Sequence, residues 1–473
     1  MSSSVSDAAP GAVTGTSPAL GSLSRGEPIQ VFAAPPGTPA RPQIARAEGV
    51  RLWDTAGRCY LDASSGPVAY NLGYGNRRVL DAMHAQAEAA AFANVSHFES
   101  AANRDFADLL TEKAGPGFDR AFIVAGGSEG IEAALKLARQ IAVSRGERQR
   151  WKVISRQPSY HGNTLGALSV SGDPNAHAMF GPMMADMPKV PAPKSLRLPS
   201  GHTRETWAEV CAGALEQQIL HQGPETVLAF LQEPVGGLAT GALVPTDLYM
   251  RRVREICDRY GLLLIHDEVM SGGGRTGTFL AHHHWTDCKP DLIVMAKGVG
   301  AGYFPLGLVL AGREDVERVA KGGGFMHGHT ALASPLACAV GLAVLQETLE
   351  RDLVTRAGVL GDRLRAGMDR IAQRLPIVGE VRGKGMLMAI ELVAESDEKR
   401  SFPIAAQAGA VLSKAAMELD LILYQRRTNA GRDGDWVMLS PPLVATDADI
   451  DEILDKTERA LEAASDRLGT VSS

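Results

Sequence analysis

Lys297 closes an apolar run in Met295-Ala296-Lys297-Gly298. A lysine at such a place is either a snorkelling surface group or a functional amine. A desolvated amine near other cations loses its proton more readily and becomes a nucleophile suited to Schiff-base chemistry. About thirty residues earlier, His266-Asp267-Glu268-Val269 ends a second apolar run, Leu262-Leu263-Leu264-Ile265. A carboxylate at the end of a buried strand is costly without a partner. A structural salt bridge would supply one, and so would the cationic ring nitrogen of a ligand. Gly126-Gly127-Ser128-Glu129 lies between a strand and a helix start. Glycine lets the backbone approach an anion there, and the helix N-terminus offers free N–H groups. Ser128 would cap the helix and offer its hydroxyl to a phosphate; a plain N-cap after a glycine turn reads equally well. In Ser159-Tyr160-His161-Gly162-Asn163, Tyr160 could lie flat on a planar ring, and His161 could equally be a core histidine. Each motif alone is modest. Together they describe one ligand: a planar, cationic heterocycle carrying a phosphate and an aldehyde.

The elements that must position these residues alternate along the chain. Short apolar strands are expected at 121–124, 152–155, 227–232, 262–266, 291–295 and 306–311. The helix between the first two, 128–143, carries Ile131, Ala134, Leu135, Ala138 and Ile141 on one stripe. Apolar strands between amphipathic helices predict a mostly parallel sheet covered on both faces, whose ligands sit beyond the strands' carboxyl ends. Two short strands, at 50–54 and 59–62, precede it, followed by helices at 79–93 and 102–114. After about residue 330 the pattern changes to long helices at 336–350 and 353–374, strands at 385–392 and 436–440, and a closing helix at 447–463. The reading is therefore a flexible tail over 1–28, an N-terminal part of a small domain over 29–75, a large domain over 76–330 and a C-terminal α+β small domain over 331–473.

Composition narrows the function classes. Of 473 residues, 45% are hydrophobic and 22% charged, as in ordinary globular proteins. A net charge of −6 gives no basic footprint for nucleic acid. No apolar run is long enough to span a bilayer, and the N-terminus lacks the pattern of a secretory signal. Five cysteines without a CxxC pair fit a reduced, cytoplasmic protein. His282-His283-His284 looks like a metal tract, but consecutive residues do not face one ion, and no metal site is expected. Gly322-Gly323-Gly324 reads as a mobile loop rather than a second phosphate cradle.

From about residue 40 to 460 the chain resembles the class III, or ω-type, aminotransferases of the fold-type I pyridoxal 5′-phosphate (PLP) enzymes. The resemblance rests on Gly127-Ser128-Glu129, Ser159-Tyr160-His161-Gly162, Gln232-Glu233-Pro234, Leu264 to Val269, Gly274-Arg275-Thr276-Gly277, Lys297-Gly298, Gly328-His329-Thr330 and Ser440-Pro441-Pro442-Leu443, in that order. It implies a large domain with a seven-stranded-type sheet and a smaller α+β domain. It further implies that Lys297 holds the cofactor as a Schiff base and that Asp267 pairs with the pyridinium nitrogen. Tyr160 and Val269 would sandwich the ring, Gly127 and Ser128 would hold the phosphate, and Glu233 would order the surroundings. Thr330 would reach the phosphate of a neighbouring subunit, making the enzyme a homodimer or larger homo-oligomer with shared sites. The implied reaction moves an amino group from an amine or amino acid to a 2-oxo acid by a ping-pong path. An amino-acid racemase or a dialkylglycine-type decarboxylase on the same scaffold is the alternative.

Departures from the family pattern bear on substrate. Gly236 replaces a glutamine common among enzymes acting on γ-aminobutyrate or ornithine, which argues against those donors. Val68 stands where many amine–pyruvate enzymes have tryptophan, which would leave room near the cofactor. Relatives often bind the 2-oxo acid carboxylate with an arginine shortly before the Pro-Pro motif; Arg427 and Arg432 are the candidates, and an exposed basic loop is the other reading. His266 replaces a usually apolar residue, and the sequence offers no account of it. The identities of donor and acceptor are not legible.

Overall fold

The computed structural model describes residues 41–469, so the expected tail at 1–28 lies outside the described residues. Strands β1 (Ile44–Glu48), β2 (Arg51–Asp54) and β3 (Cys59–Asp62) open the described chain. Seven more follow: β4 (Arg120–Val124), β5 (Lys152–Gln157), β6 (Lys189–Pro191), β7 (Val227–Gln232), β8 (Leu263–Asp267), β9 (Leu292–Ala296) and β10 (Gly307–Ala311). The last group is β11 (Val378–Lys384), β12 (Leu387–Leu392), β13 (Leu421–Ile422), β14 (Tyr424–Arg427) and β15 (Asp435–Leu439).

Strands β4 to β10 form one seven-stranded sheet in the order β4-β10-β9-β8-β7-β5-β6. The pairs from β6 through β9 are parallel, and β10 runs antiparallel to both β4 and β9. Every residue of β7, β8, β9 and β10 is buried. Such uniform burial explains why these strands read as continuous apolar runs rather than alternating ones. The helix Gly127–Ser144 packs on this sheet through Ile131, Ala134, Leu137, Ala138 and Ile141. Leu137 takes the fully buried place expected for Leu135, which is only half-buried. On the other face lie two helices, Arg204–Gln222, absent from the sequence reading, and Asp247–Tyr260, capped by Thr203 and Thr246.

The remaining strands form two four-stranded sheets, β1-β2-β3-β13 and β11-β12-β15-β14. In the first, β13 lies parallel to β3, so strands from opposite ends of the sequence share a sheet. Residues 44–469 belong to one compact unit. Arg275 ties its parts together. Its guanidinium is fully buried and donates to the Pro441 carbonyl, to Asn71 Oδ1 at 2.6 Å and to the Met386 carbonyl at 3.4 Å. Burial holds its pKa down at about 9. Arg275→Met should lower stability by about 3 kcal/mol, because it strands buried acceptors on three segments. Chemical denaturation with the midpoint read by circular dichroism checks this; an unchanged midpoint contradicts it.

Candidate active site

The carboxyl ends of β8 and β9 deliver Asp267 and Lys297 to one cavity of about 410 Å³. Lys297 follows β9 with φ 47°, a left-handed conformation unfavourable for a side-chain-bearing residue. Strain of this kind gathers at functional sites. Burial lowers the Lys297 pKa from its ordinary range to about 8; the Asp267 and Glu233 carboxylates oppose the shift and Arg426 adds to it. Asp267 is 5% exposed. Its Oδ1 accepts the Val269 N–H at 3.0 Å, and its Oδ2 sits 2.7 Å from His161 Nδ1. That contact settles where His161 goes: it is buried, its Nδ1 faces Asp267, and its Nε2 has no hydrogen-bond partner among the described residues.

Glu233, after β7, lines the same cavity and is 4% exposed. Its Oε1 accepts the Gly237 N–H at 2.8 Å, and Oε2 has no partner among the described residues. Burial pushes its carboxyl pKa up, while His161 and Arg156 pull it down. Tyr160 and Val269 are half-buried on the cavity wall. Burial also raises the Tyr160 hydroxyl, which therefore stays protonated.

At the cavity's other end the helix Gly127–Ser144 begins, with Gly126 at its N-cap and no side-chain cap on its first amides. The expected Ser128 cap is thus corrected: Ser128 lies inside the first turn, where its Oγ accepts the Asn163 N–H at 3.1 Å. The glycines here have little room for a side chain. A Cβ at Gly127 would come 3.1 Å from Val269 Cγ1, and one at Gly162, with φ 137°, would come 2.6 Å from Ser128 Oγ. A cradle of bare amides, a planar slot beside Tyr160 and Val269, an acid and an amine fit a phosphorylated aldehyde of a protonated heterocycle. Two buried polar atoms without partners, on His161 and Glu233, fit it too.

Other expected residues fall elsewhere. Val68 is 1% exposed, packs in the apolar core with φ 59° and does not line the cavity; its neighbour Ala69 does. Thr330 lies exposed, outside the cavity of its own chain. Arg427 does not reach the cavity, because its Nε is held 2.8 Å from Asp435 Oδ1 and its Nη2 donates to the Ile404 carbonyl. Arg432 lines a separate cavity. The cation that acts on Lys297 and Tyr160 is Arg426, which the sequence reading passed over. Both it and Arg427 line a smaller cavity of about 140 Å³ that shares Tyr160 and Leu238 with the first, but only Arg426 acts on Lys297 and Tyr160. Strand alternation was the available signal: Arg427 pairs with Asp435 across β14 and β15, so Arg426 faces the other way. His266 now has an account. It is fully buried beside Gln232 Nε2 at 3.1 Å, and burial keeps it neutral, so its Nε2 accepts that amide proton.

The family described as Aminotransferase class-III matches residues 32–461. The uncharacterized aminotransferase YodT of Bacillus subtilis is 35% identical, over 88% of this chain and 94% of its own. The structure is similar to an omega transaminase from Pseudomonas jessenii in complex with PMP, with TM-score 0.85 and 30% identity over 91% of this chain and 94% of that one. It is also similar to an (S)-enantioselective omega-transaminase from Thermomicrobium roseum, with TM-score 0.84 and 36% identity over 90% of this chain and 93% of that one.

Proposed function

The chain belongs to the class-III aminotransferases, and from that premise we propose that the Lys297 cavity is where this PLP-dependent transaminase exchanges an amino group between a donor amine or amino acid and a 2-oxo acid. The carrying observation is the meeting of one desolvated amine, Lys297, and one buried carboxylate, Asp267, in a single cavity with a glycine cradle. When bound, PLP supplies an aldehyde that condenses with amines and a ring that draws electrons from the reacting carbon. The chain's residues do the rest. The first amides of the helix at Gly127 and Ser128 hold the phosphate. Asp267 keeps the ring nitrogen charged, and His161 keeps Asp267 in place through its 2.7 Å contact. Tyr160 and Val269 bracket the ring, and Glu233 orders its surroundings. Lys297 Nζ takes the proton from the carbon bearing the donor's amino group and later returns one, work worth about 10²–10⁴-fold. Holoenzyme given donor alone should release one equivalent of carbonyl product per chain and lose its yellow colour, and a 2-oxo acid should restore it. Release of carbon dioxide, or return of the enantiomer alone, would contradict transamination.

Arg426 is the group we assign to the acceptor's carboxylate, supported by its field at Lys297 and Tyr160, which its neighbour Arg427, held by Asp435, does not share. Arg426→Ala should raise KM for the 2-oxo acid about tenfold or more, with a smaller effect on an amine donor lacking a carboxylate. Equal KM values for the acceptor would refute the assignment.

We also propose a homodimer, with Thr330 completing the partner's phosphate site, and a cytoplasmic setting. Exposed Phe92, Phe98 and Met326, at 56%, 69% and 78%, support an apolar contact between copies. Sedimentation velocity should give twice the chain mass; a monomer that turns over substrate would refute shared sites. Five unpaired cysteines, four of them buried, support a reducing compartment. Among the described residues no helix is long and apolar enough to cross a membrane.

A further inference from the structure

A second cavity, of about 290 Å³, opens where the ends of β5 and β6 meet β11, β12 and the 428–433 loop. It shares no lining residue with the Lys297 cavity. Four cations line it, Lys194, Arg197, Arg382 and Arg432, against two carboxylates, Glu391 and Asp433, leaving an excess of two positive charges. Arg197 and Arg382 are spoken for by Glu391, and Glu380 behind the wall, 2.9 Å from Arg382, trims that excess. Lys194 and Arg432 are exposed and have no ion pair among the described residues. Two buried polar atoms at the wall, Trp207 Nε1 and Thr240 Oγ1, have no hydrogen-bond partner among the described residues. Buried donors without partners are rare and call for an explanation. Pro158, Pro191, Leu196 and Leu243 give the wall an apolar stretch beside these polar groups.

We propose that this cavity is a second ligand site, taking a small organic carboxylate with an apolar body. Lys194 and Arg432 match the anion, with Arg432 able to grip both oxygens. The Trp207 indole N–H supplies a further donor, and the apolar wall covers the body. A bare inorganic anion would leave that wall and most of the volume unused. Asn429 lines both this cavity and the small one that carries Arg426. Asn429 and Ala430 are consecutive left-handed residues, with φ 47° and 58°, and Arg197 opposite has φ 52°. An occupant held by Arg432 therefore fixes the segment that ends in Arg426. Resting on the role given to Arg426 above, occupancy preorganises this segment, lowers KM for the 2-oxo acid and leaves the rate with saturating acceptor unchanged.

The test is calorimetric titration of holoenzyme with 3-phenylpropionate, which has no amino or keto group to react. The expected result is saturable binding that persists in Arg426→Ala and weakens about tenfold in Lys194→Ala or Arg432→Ala, the loss of one charge-assisted contact. The neutral 3-phenylpropanamide should bind about tenfold more weakly. A flat titration to millimolar ligand overturns the proposal, as does equal binding of the amide. So does binding that vanishes in Arg426→Ala yet ignores Lys194→Ala and Arg432→Ala, which would place the anion in the active cavity. Both cations are exposed, so their variants keep the fold. Because binding is read without turnover, failure of the Arg426 assignment and failure of this site give different results.

Discussion

Lys297→Ala should give a folded chain that retains no covalently attached cofactor and loses at least about 10⁴-fold in turnover, since one residue supplies both the attachment and the proton carrier. Loss of the yellow colour of the holoenzyme reports the first loss, and a donor–acceptor assay the second. Activity within about tenfold of the parent would remove Lys297 from the chemistry. The amine's depressed pKa adds a pH test. An ordinary lysine is only ~0.3% neutral at pH 8. With a pKa of about 8, Lys297 is roughly half neutral there. Capture of PLP by the cofactor-free chain should therefore slow as pH falls below about 8, where the ammonium form has no lone pair. The stability effect has the opposite sense from a salt-bridged lysine. Between about 8 and the ordinary value of 10.5 the unfolded chain binds a proton that the folded chain does not. Stability thus rises with pH through that window, and at neutral pH this amine costs up to about 3 kcal/mol. The cofactor-free Lys297→Ala chain should accordingly melt above the cofactor-free parent at neutral pH, and the gap should narrow toward pH 10 or so. An equal or lower melting temperature would contradict a strained, desolvated amine.

The motifs that carry this chemistry were legible because each sits where a buried run stops. Leu262 to Ile265 and the run before Lys297 are uniformly apolar, so the first charged residue after each marks a strand end facing ligand space. The sequence reading placed the strands of the central sheet within one or two residues at most ends, for the same reason. It lost elements whose pattern is blurred. The helix Arg204–Gln222 buries Ala208, Cys211, Ala212, Leu215 and Ile219 at helical spacing, but Val210 and Leu220 stand exposed on its other side and break the stripe. Strand β6 has three residues, too few for any period to show. Within the site, side-chain direction was the missing quantity. Arg426 and Arg427 are neighbours of one type on the rim of one small cavity, and only the pairing of β14 with β15 ties Arg427 to Asp435 and leaves Arg426 to act on Tyr160. Val68 failed for a similar reason: the backbone at Ser65, Gly66 and Val68 takes positive φ, which turns the valine into the core and presents Ala69 instead. Thr330, by contrast, lies exposed outside the cavity of its own chain, so the role proposed for it depends on the proposed second copy.

Asp267→Asn should keep much of the cofactor yet lose about 10²–10⁴-fold in rate, because the substitution removes charge while preserving shape. The amide oxygen can still accept the Val269 N–H that Oδ1 now accepts at 3.0 Å. The amide NH₂ then faces His161 Nδ1, which is held 2.7 Å from Oδ2. Two donors cannot meet there, so His161 must move its proton to Nε2, the atom that has no partner in the wall of the cavity. The ring nitrogen of the cofactor loses its anionic partner at the same moment, and the electron demand that drives proton loss from the donor falls with it. The two effects are separable. His161→Ala leaves the Asp267 charge in place and removes only its restraint, so it should cost less, about tenfold, and raise KM little. Asp267→Glu keeps the charge and lengthens the arm by one methylene, and should fall between the two. A rate for Asp267→Asn near that of the parent, with PLP fully bound, would mean that the carboxylate serves only to hold His161, and their buried 2.7 Å contact would then be structural.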